Sequence, residues 1–230
     1  MGYVKKTDKG KAWTKKNKYS REVVITRIVR SIFLIFCEGG NTEPEYFRSF
    51  PVNSETIVKA IGLGMSRSAL VNRIISICKE KEYLSGQSNY DADRQIWCVF
   101  DRDTRGIEDE DKDYNDAIQT AKKRGLNVAY SNDSFELWFI LHDKYIDAKQ
   151  TRKQFYEYLS KKFELNYEED GKSLNFAKVL YTHYIGSQEN AVKNAETLYK
   201  YHLQESIYSN KNPCTTVHLL VKELNKQLRK

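Results

Sequence analysis

Acidic side chains follow two apolar segments that have the length of buried strands. Glu38 comes shortly after SIFLIF (31–36), while Asp101 and Asp103 come directly after QIWCVF (95–100). Carboxylate oxygens are the hard ligands that Mg²⁺ prefers, and carboxylates gathered without a cation repel one another. If the two strands are neighbours, these residues predict a site for Mg²⁺ or Mn²⁺. Taken alone, an acid after a strand also commonly closes a turn or caps the next helix.

The acids belong to a regular alternation of strand-like and helix-like segments. Strands are predicted at SIFLIF (31–36), ETIVKAIG (55–62), QIWCVF (95–100) and LNVAYSN (126–132), each followed by a helical pattern. This alternation is typical of a parallel sheet with right-handed crossovers. A flavodoxin-like strand order, 2-1-3-4, would place Glu38 beside Asp101 at the sheet edge where such folds bind ligands. From about residue 150 onward only helical patterns are evident.

Other polar residues near the predicted strand ends are accessory candidates. Ser131 and Asn132 end the fourth strand, and Ser131 to Ser134 are expected to cap the helix that follows. Glu136 would then either complete the site or serve as the capping acid of that helix. Thr42 would either contact a phosphate or cap the first helix. Gly39, with the glycine after it, would let the backbone approach a phosphate closely.

The remaining residues capable of chemistry are scattered. The cysteines form no CxxC pair, which favours buried reduced thiols in a cytoplasmic protein over a disulfide framework or a zinc site; they are Cys37, Cys78, Cys98 and Cys214. The histidines form no cluster, and His142 is expected to be structural; they are His142, His183, His202 and His218. No apolar run reaches the length needed to span a bilayer, and no signal peptide precedes the first strand.

The positive charge of the chain is concentrated at its N-terminus. The formal net charge is +7, but residues 1–30 hold ten lysines and arginines against two acids, so residues 31–230 sum to −1. A basic arm of this kind either contacts a phosphate backbone or is a solvated tail. The candidate contacts in the arm are Lys5, Lys6, Lys11, Lys15, Lys16, Lys18 and Arg21.

A Glu after the first strand together with D-x-D after the third resembles the Toprim domain of topoisomerases, primases and OLD-family nucleases. The resemblance implies that Glu38 acts as the general acid or base, or as a metal ligand, and that Asp101 and Asp103 bind Mg²⁺. The fuller pattern is D-x-D-x-[DE], and here Arg105 occupies its third acidic place. This departure puts in doubt a second metal ion at that position.

Four blocks in order resemble the RloB-like family over most of the chain. They are IFCEGGNTEPEYF, WCVFDRD, YSNDSFELWFILH and NPCTTVHLLVKEL. That family is similar to Abi-type abortive-infection proteins of bacteria, whose members are typically encoded beside an AAA-family ATPase. The resemblance implies a Toprim-like (Rossmann-like) parallel sheet of about four strands flanked by helices. It also implies three parts: a basic arm over 1–30, a catalytic domain over 31–148 and a helical extension packed on it over 149–230.

The expected function is therefore that of a metal-dependent endonuclease in phage defence, hydrolysing DNA or RNA, tRNA included, with an AAA-family ATPase partner. The alternative is a non-catalytic Toprim subunit that binds nucleic acid, with the tyrosine-rich extension as a docking surface for the partner. A topoisomerase is not expected, because the chain is short for the strand-passage and tyrosine-bearing domains; a primase is compatible with the domain alone, but the sequence has no zinc-binding Cys/His module. The sequence leaves open the choice between DNA and RNA, the number of metal ions and the oligomeric state, a homo-oligomer included.

Overall fold

The computed structural model of the protein describes residues 30–83, 93–103, 109–171 and 173–229. Its strands are β1 (Ser31–Cys37), β2 (Thr56–Gly62), β3 (Asp93–Asp101), β4 (Asn127–Asn132) and β5 (Cys214–Thr215). Its helices are α1 (Thr42–Arg48), α2 (Arg67–Glu80), α3 (Glu110–Lys123), α4 (Glu136–Asp143), α5 (Arg152–Phe163), α6 (Leu174–Tyr184), α7 (Gln188–Tyr201) and α8 (Val217–Asn225). Short 3₁₀ turns occur at Ile185–Ser187 and Tyr208–Asn210.

The five strands form one sheet in the order β2-β1-β3-β4-β5. The first four strands in this order are parallel, and β5 pairs antiparallel with β4. The predicted 2-1-3-4 order is confirmed. In register, Cys37 lies opposite Val99 of β3, and Asp101 lies opposite Ser131 of β4. The carboxyl ends of β1, β3 and β4 therefore meet at one edge of the sheet.

Both faces of the sheet are covered, which explains why β1 reads as a continuous apolar run. Its alternate residues enter different cores: Phe33 and Ile35 pack on one face, and Leu34 and Phe36 pack on the other. The second face is covered by α2 and α3. The first face is covered by α1 and α4 together with the helices after residue 150, down to Leu224 of α8. The C-terminal helices thus share a core with the sheet.

Two local features of the sequence have clear structural roles. Gly125 ends α3 with a φ of +73°, and its N–H donates to Lys122 O while Leu126 N–H donates to Ala121 O, both at 3.0–3.1 Å. This pair of bonds is the Schellman arrangement that favours glycine. The residues Phe135, Leu137, Trp138 and Phe139 are buried in the core.

Other expectations about the elements need correction. The chain after residue 150 is not wholly helical, because β5 adds a strand; a two-residue strand after Pro213 is too short to show a period. β3 extends from Asp93 to Asp101, so Asp101 ends the strand instead of following it. Helix α1 has Asn41 at its N-cap position, without a capping side-chain hydrogen bond, and Thr42 is its first residue. Helix α4 begins only at Glu136, after Phe135 at its N-cap position.

Candidate active site

A cavity of about 710 Å³ opens at the carboxyl ends of β1, β3 and β4. It is lined by the loop after β1, the start of α1, the start of α2 and the end of β3, with α4 and α5 completing the wall. Among the described residues its lining contains two cations, Arg67 and Arg152, against eight carboxylates. These acids are Glu38, Glu43, Asp101, Asp103, Asp109, Glu110, Asp113 and Glu136.

Glu38 reaches from the end of β1 toward β3, as the predicted strand order requires. The backbone N–H of Asp101 donates to Glu38 Oε2 at 3.3 Å. Arg67 Nη1 lies 3.9 Å from Glu38 Oε1, and the Glu38 side chain is 20% exposed. The backbone of Glu38 is fixed at the same time, since its N–H donates to Val99 O and its carbonyl accepts from Gly64 N–H. The carboxylate is thus held at the mouth of the sheet between two donors.

Asp101 is one of the buried acids of the pocket. Its Oδ2 accepts a hydrogen bond from Phe135 N–H at 2.9 Å, whereas its Oδ1 is buried and has no hydrogen-bond partner. Burial, followed by the charges of Glu43 and Glu136, raises the pKa of Asp101 well above its ordinary value. A buried acceptor without a partner is costly. A cation bound at Oδ1 would satisfy the free oxygen and favour the ionised carboxylate.

Asp103 is turned toward the C-terminal helices. Its backbone has a φ of +43°, and its N–H donates to Asp133 O at 3.0 Å. Its Oδ1 forms an ion pair with Arg152 Nη1 at the start of α5, and Arg152 Nη2 lies 4.0 Å from Asp101 Oδ2. The D-x-D carboxylates are therefore joined by a guanidinium group that comes from a segment fifty residues downstream.

Glu43 is a pocket residue that the sequence analysis missed. It lies in the first turn of α1 and is 8% exposed. Burial, opposed by a backbone hydrogen bond and reinforced by Glu136 and Glu38, raises the pKa of Glu43 to about 7. A Cβ atom at Gly39 would collide with the Glu43 carboxylate, so the glycine makes room for this acid; its expected closeness to a phosphate stays a prediction. An acid at a helix N-terminus is so common that its type alone gave no signal.

Glu136 and Arg67 complete the charged wall. Glu136 is 5% exposed, and its Oε2 accepts a hydrogen bond from Ser134 Oγ at 2.6 Å. It lines the pocket, and its part in the site stays a prediction; α4 has no side-chain capping hydrogen bond, so the expected capping role is not seen. Arg67 is a structural clamp: its Nε donates to Asp113 Oδ2 at 3.1 Å, and its Nη1 donates to Arg102 O at 3.0 Å.

The other accessory candidates are divided between the pocket and the core. Thr42 and Gly39 line the pocket. Ser131 and Asn132 are fully buried and bond away from it: Ser131 Oγ is 3.1 Å from Thr215 Oγ1, and Asn132 Nδ2 donates to Ser209 O at 2.9 Å. The structure thus gives Ser131 and Asn132 the task of holding the C-terminal segment against β4. The basic-arm residues from Lys5 to Arg21 lie outside the described residues, as does Arg105.

The carboxylates of the pocket are of the type that binds a divalent cation, but those of the described residues are not arranged as a complete set of ligands. Carboxylates line the same pocket as Asp101, whose Oδ1 has no hydrogen-bond partner, and hard carboxylate oxygens are the ligands that Mg²⁺ or Mn²⁺ takes. Within the described ranges, however, no three His, Cys, Asp or Glu side chains are grouped so as to hold a metal ion. Asp103 is paired with Arg152 instead. The metal site at Glu38, Asp101 and Asp103 therefore stays a prediction.

His142 lies outside the pocket and has a structural environment. Its Nδ1 is 2.8 Å from Trp138 O, and its ring packs against Trp138 and Tyr184. Burial is the main cause that lowers the pKa of His142 to about 4. The four cysteines are buried free thiols. No helix in the described part of the chain is long and apolar enough to cross a membrane.

The buried His142 predicts a loss of stability in mild acid. Because the folded pKa is about 4 and the ordinary value is 6.5, only the unfolded chain takes up the proton between these values. Stability should fall by about 1.4 kcal/mol per pH unit from pH 6.5 toward pH 4 on account of this group. The free energies of unfolding of the wild type and of His142→Gln, measured in urea, should therefore differ by an amount that decreases from pH 6.5 to pH 4. The exposed His183→Gln is the control; a difference independent of pH for His142→Gln would contradict the assignment.

Comparison with known protein families finds a match over a region of the chain that contains the whole pocket. A family model described as "RloB-like protein" matches residues 33–224. No curated protein and no solved structure matches the chain. The matched region contains every residue that lines the pocket, from Glu38 to Tyr156.

Proposed function

The chain belongs to the RloB-like family, and from this premise we propose that it is a cation-dependent nuclease whose active site is the acidic pocket. The observation that carries the proposal is the meeting of Glu38 and Asp101, joined by the 3.3 Å hydrogen bond from Asp101 N–H to Glu38 Oε2. These two carboxylates come from neighbouring strands, and one oxygen of Asp101 is buried without a hydrogen-bond partner. Such a pair is suited to holding a cation and moving a proton. The substrate class we propose is a phosphodiester of DNA or RNA, tRNA included.

Asp101 would hold the cation through Oδ1, with Asp103 and Glu38 as further ligands. When bound, Mg²⁺ or Mn²⁺ supplies positive charge to stabilise the phosphoryl oxygens in the transition state. Phe135 N–H orients Asp101 by holding Oδ2, which leaves Oδ1 without a hydrogen-bond partner. Glu43 and Glu136 add negative charge beside it, and they take the place of the third acid that the D-x-D motif lacks.

Glu38 is the residue we propose to accept the proton of the attacking water. The Asp101 N–H and the Arg67 guanidinium hold the Glu38 carboxylate at the sheet edge, where it can accept a proton. Its partial exposure gives water access to the carboxylate, unlike the buried Asp101. The rigid attachment of Glu38 to β3 and to the loop after β2 keeps the base in one position.

The biological setting we propose follows the family resemblance of the four sequence blocks. The chain would be the Toprim nuclease effector of a bacterial phage-defence system in the cytoplasm, acting with an AAA-family ATPase. The alternative is a non-catalytic subunit of such a complex that binds nucleic acid or the partner. The pairing of Asp103 with Arg152 favours this alternative, because an ion pair already neutralises part of the D-x-D motif.

Cleavage assays on the full chain, alone and with an AAA-family ATPase as the proposed partner, separate the two proposals. We expect cleavage of DNA or tRNA pools that requires Mg²⁺ or Mn²⁺, stops with EDTA and falls at least about 100-fold in Asp101→Asn. Asp111→Asn is the matched control, because Asp111 pairs with Arg102 and does not line the pocket. Absence of cleavage with every cation, with and without the partner, would leave the non-catalytic function.

A further inference from the structure

Arg152 is anchored to the sheet edge by its backbone, while its side chain enters the acidic pocket. It is the first residue of α5, where Thr151 and Gln154 form a capping box. Its backbone N–H donates to Asp133 Oδ2 at 3.0 Å, and Asp133 O in turn accepts the N–H of Asp103. The start of α5 is thus fixed beside the D-x-D motif, so the guanidinium group can change partners without any movement of the helix.

The contacts of the guanidinium are incomplete. One nitrogen, Nη1, pairs with Asp103 Oδ1, and Nη2 stands 4.0 Å from Asp101 Oδ2. The third nitrogen, Nε, is buried and has no hydrogen-bond partner. The side chain is 28% exposed, and its Cζ lies 5.9 Å from the centre of the Tyr156 ring, one turn further along α5. Arg67, by contrast, is 8% exposed and donates to Asp113 and to backbone carbonyls.

The carboxylates that hold Arg152 are those expected to bind the divalent cation. A doubly charged ion and a guanidinium group a few ångströms apart repel each other strongly, more so where burial weakens screening. Binding of the ion at Asp101 and Asp103 therefore weakens both contacts of Arg152. The released group faces a cavity that accommodates a phosphodiester, and its planar fork of donors matches two phosphate oxygens.

We propose that Arg152 binds a phosphate of the substrate in this pocket. Without a divalent cation Arg152 is paired with Asp101 and Asp103, and the cation displaces it from them. The inference rests on the proposed function, since it requires that the pocket bind a cation and a phosphodiester. It also makes the helical segment after residue 150 a part of the active site. Without the cation, eight carboxylates repel a polyanion, and Arg152 is engaged with two of them.

Titration calorimetry with Mn²⁺ tests the exchange independently of cleavage. We expect Arg152→Gln to bind Mn²⁺ about tenfold more tightly than the wild type, because a competing positive charge has been removed. In the presence of Mn²⁺, the same variant should bind short phosphorothioate DNA and RNA oligonucleotides about tenfold more weakly, and Arg152→Lys should recover part of that affinity. Arg102→Gln removes the same charge outside the pocket lining and should change both affinities by less than about threefold.

A second measurement uses the wild-type chain, so it does not depend on the folding of a variant. Phenylglyoxal modifies accessible arginines, and mass spectrometry of the peptides follows each one separately. We expect Mn²⁺ to accelerate modification of Arg152 and to leave that of Arg67 unchanged. Slower modification of Arg152 with Mn²⁺, or unchanged or weaker Mn²⁺ binding by a folded Arg152→Gln, overturns the exchange. If either of these results is found while the wild type cleaves nucleic acid with Mn²⁺, the exchange is wrong but the proposed nuclease function stands. If the wild type binds no Mn²⁺, both the exchange and the proposed nuclease function are wrong.

Discussion

Replacing Glu38 with glutamine is expected to slow cleavage of nucleic acid by about 100- to 10,000-fold, the usual contribution of a general base. The amide keeps the size of the side chain, and its oxygen can still accept the hydrogen bond from Asp101 N–H. The fold should therefore persist while the ability to accept a proton is lost. Single-turnover cleavage with Mg²⁺ or Mn²⁺ measures the rate, and circular dichroism confirms the fold.

The same variant separates the two roles open to Glu38. If Glu38 is a base alone, Glu38→Gln should bind Mn²⁺ about as tightly as the wild type; if it is a ligand, the affinity should fall as well. Glu45→Gln is a suitable control, since Glu45 lies on the same loop-helix segment and pairs with Arg48 outside the pocket lining. Cleavage by Glu38→Gln at the wild-type rate would exclude Glu38 from the chemistry altogether.

The sheet and the meeting of Glu38 with Asp101 could be predicted because they depend on local patterns and simple topology. Continuous apolar runs identify strands that are buried on both faces. The order of parallel strands then decides which strand ends are adjacent. Since β1 lies between β2 and β3, the residue after β1 must lie near the residue that ends β3. The length and the order of the strands were thus almost sufficient to predict this part of the site.

The rest of the pocket depends on tertiary packing, which leaves no local pattern. Glu43 has the appearance of an ordinary acid in a first helical turn, and only the packing of α1 against the sheet buries it. Arg152 follows a capping residue, as many surface arginines do, and its charge is directed inward by the docking of α5 at Asp133. β5 has too few residues to show a period, and it is defined by its pairing with β4.

The excess of buried acid in the pocket should lower the stability of the cation-free protein at neutral and alkaline pH. Burial and the nearby carboxylates of Glu136 and Glu38 raise the pKa of Glu43 to about 7, against an ordinary value of 4.5. A raised pKa means that the folded state binds the proton more tightly than the unfolded state. The contribution of Glu43 to stability is therefore most favourable below pH 4.5, declines as the pH rises toward 7 and stays unfavourable above it.

Glu43→Gln should remove this effect and stabilise the protein. The uncharged amide has the same size, so we expect a gain of up to about 3 kcal/mol at pH 8 and almost none at pH 4. Urea unfolding of the full chain without divalent cations, at both pH values, measures the two differences. In the wild type, added Mn²⁺ should raise the melting temperature at pH 8 more than it does in Glu43→Gln, because the cation offsets the same repulsion.

Glu45→Gln provides the control for the loss of one negative charge from α1. Glu45 is salt-bridged to Arg48 at 2.9 Å, so its replacement should lower the free energy of unfolding slightly, by less than about 1 kcal/mol, and should do so at pH 8. Equal stabilisation by both variants would mean that the net charge of the helix, and not the crowded pocket, is responsible. A destabilised Glu43→Gln at pH 8 would show instead that the Glu43 carboxylate stabilises the fold in its ionised form. A gain confined to Glu43→Gln and to high pH would indicate that the pocket keeps its acids at a cost in stability, as sites shaped for ligands often do.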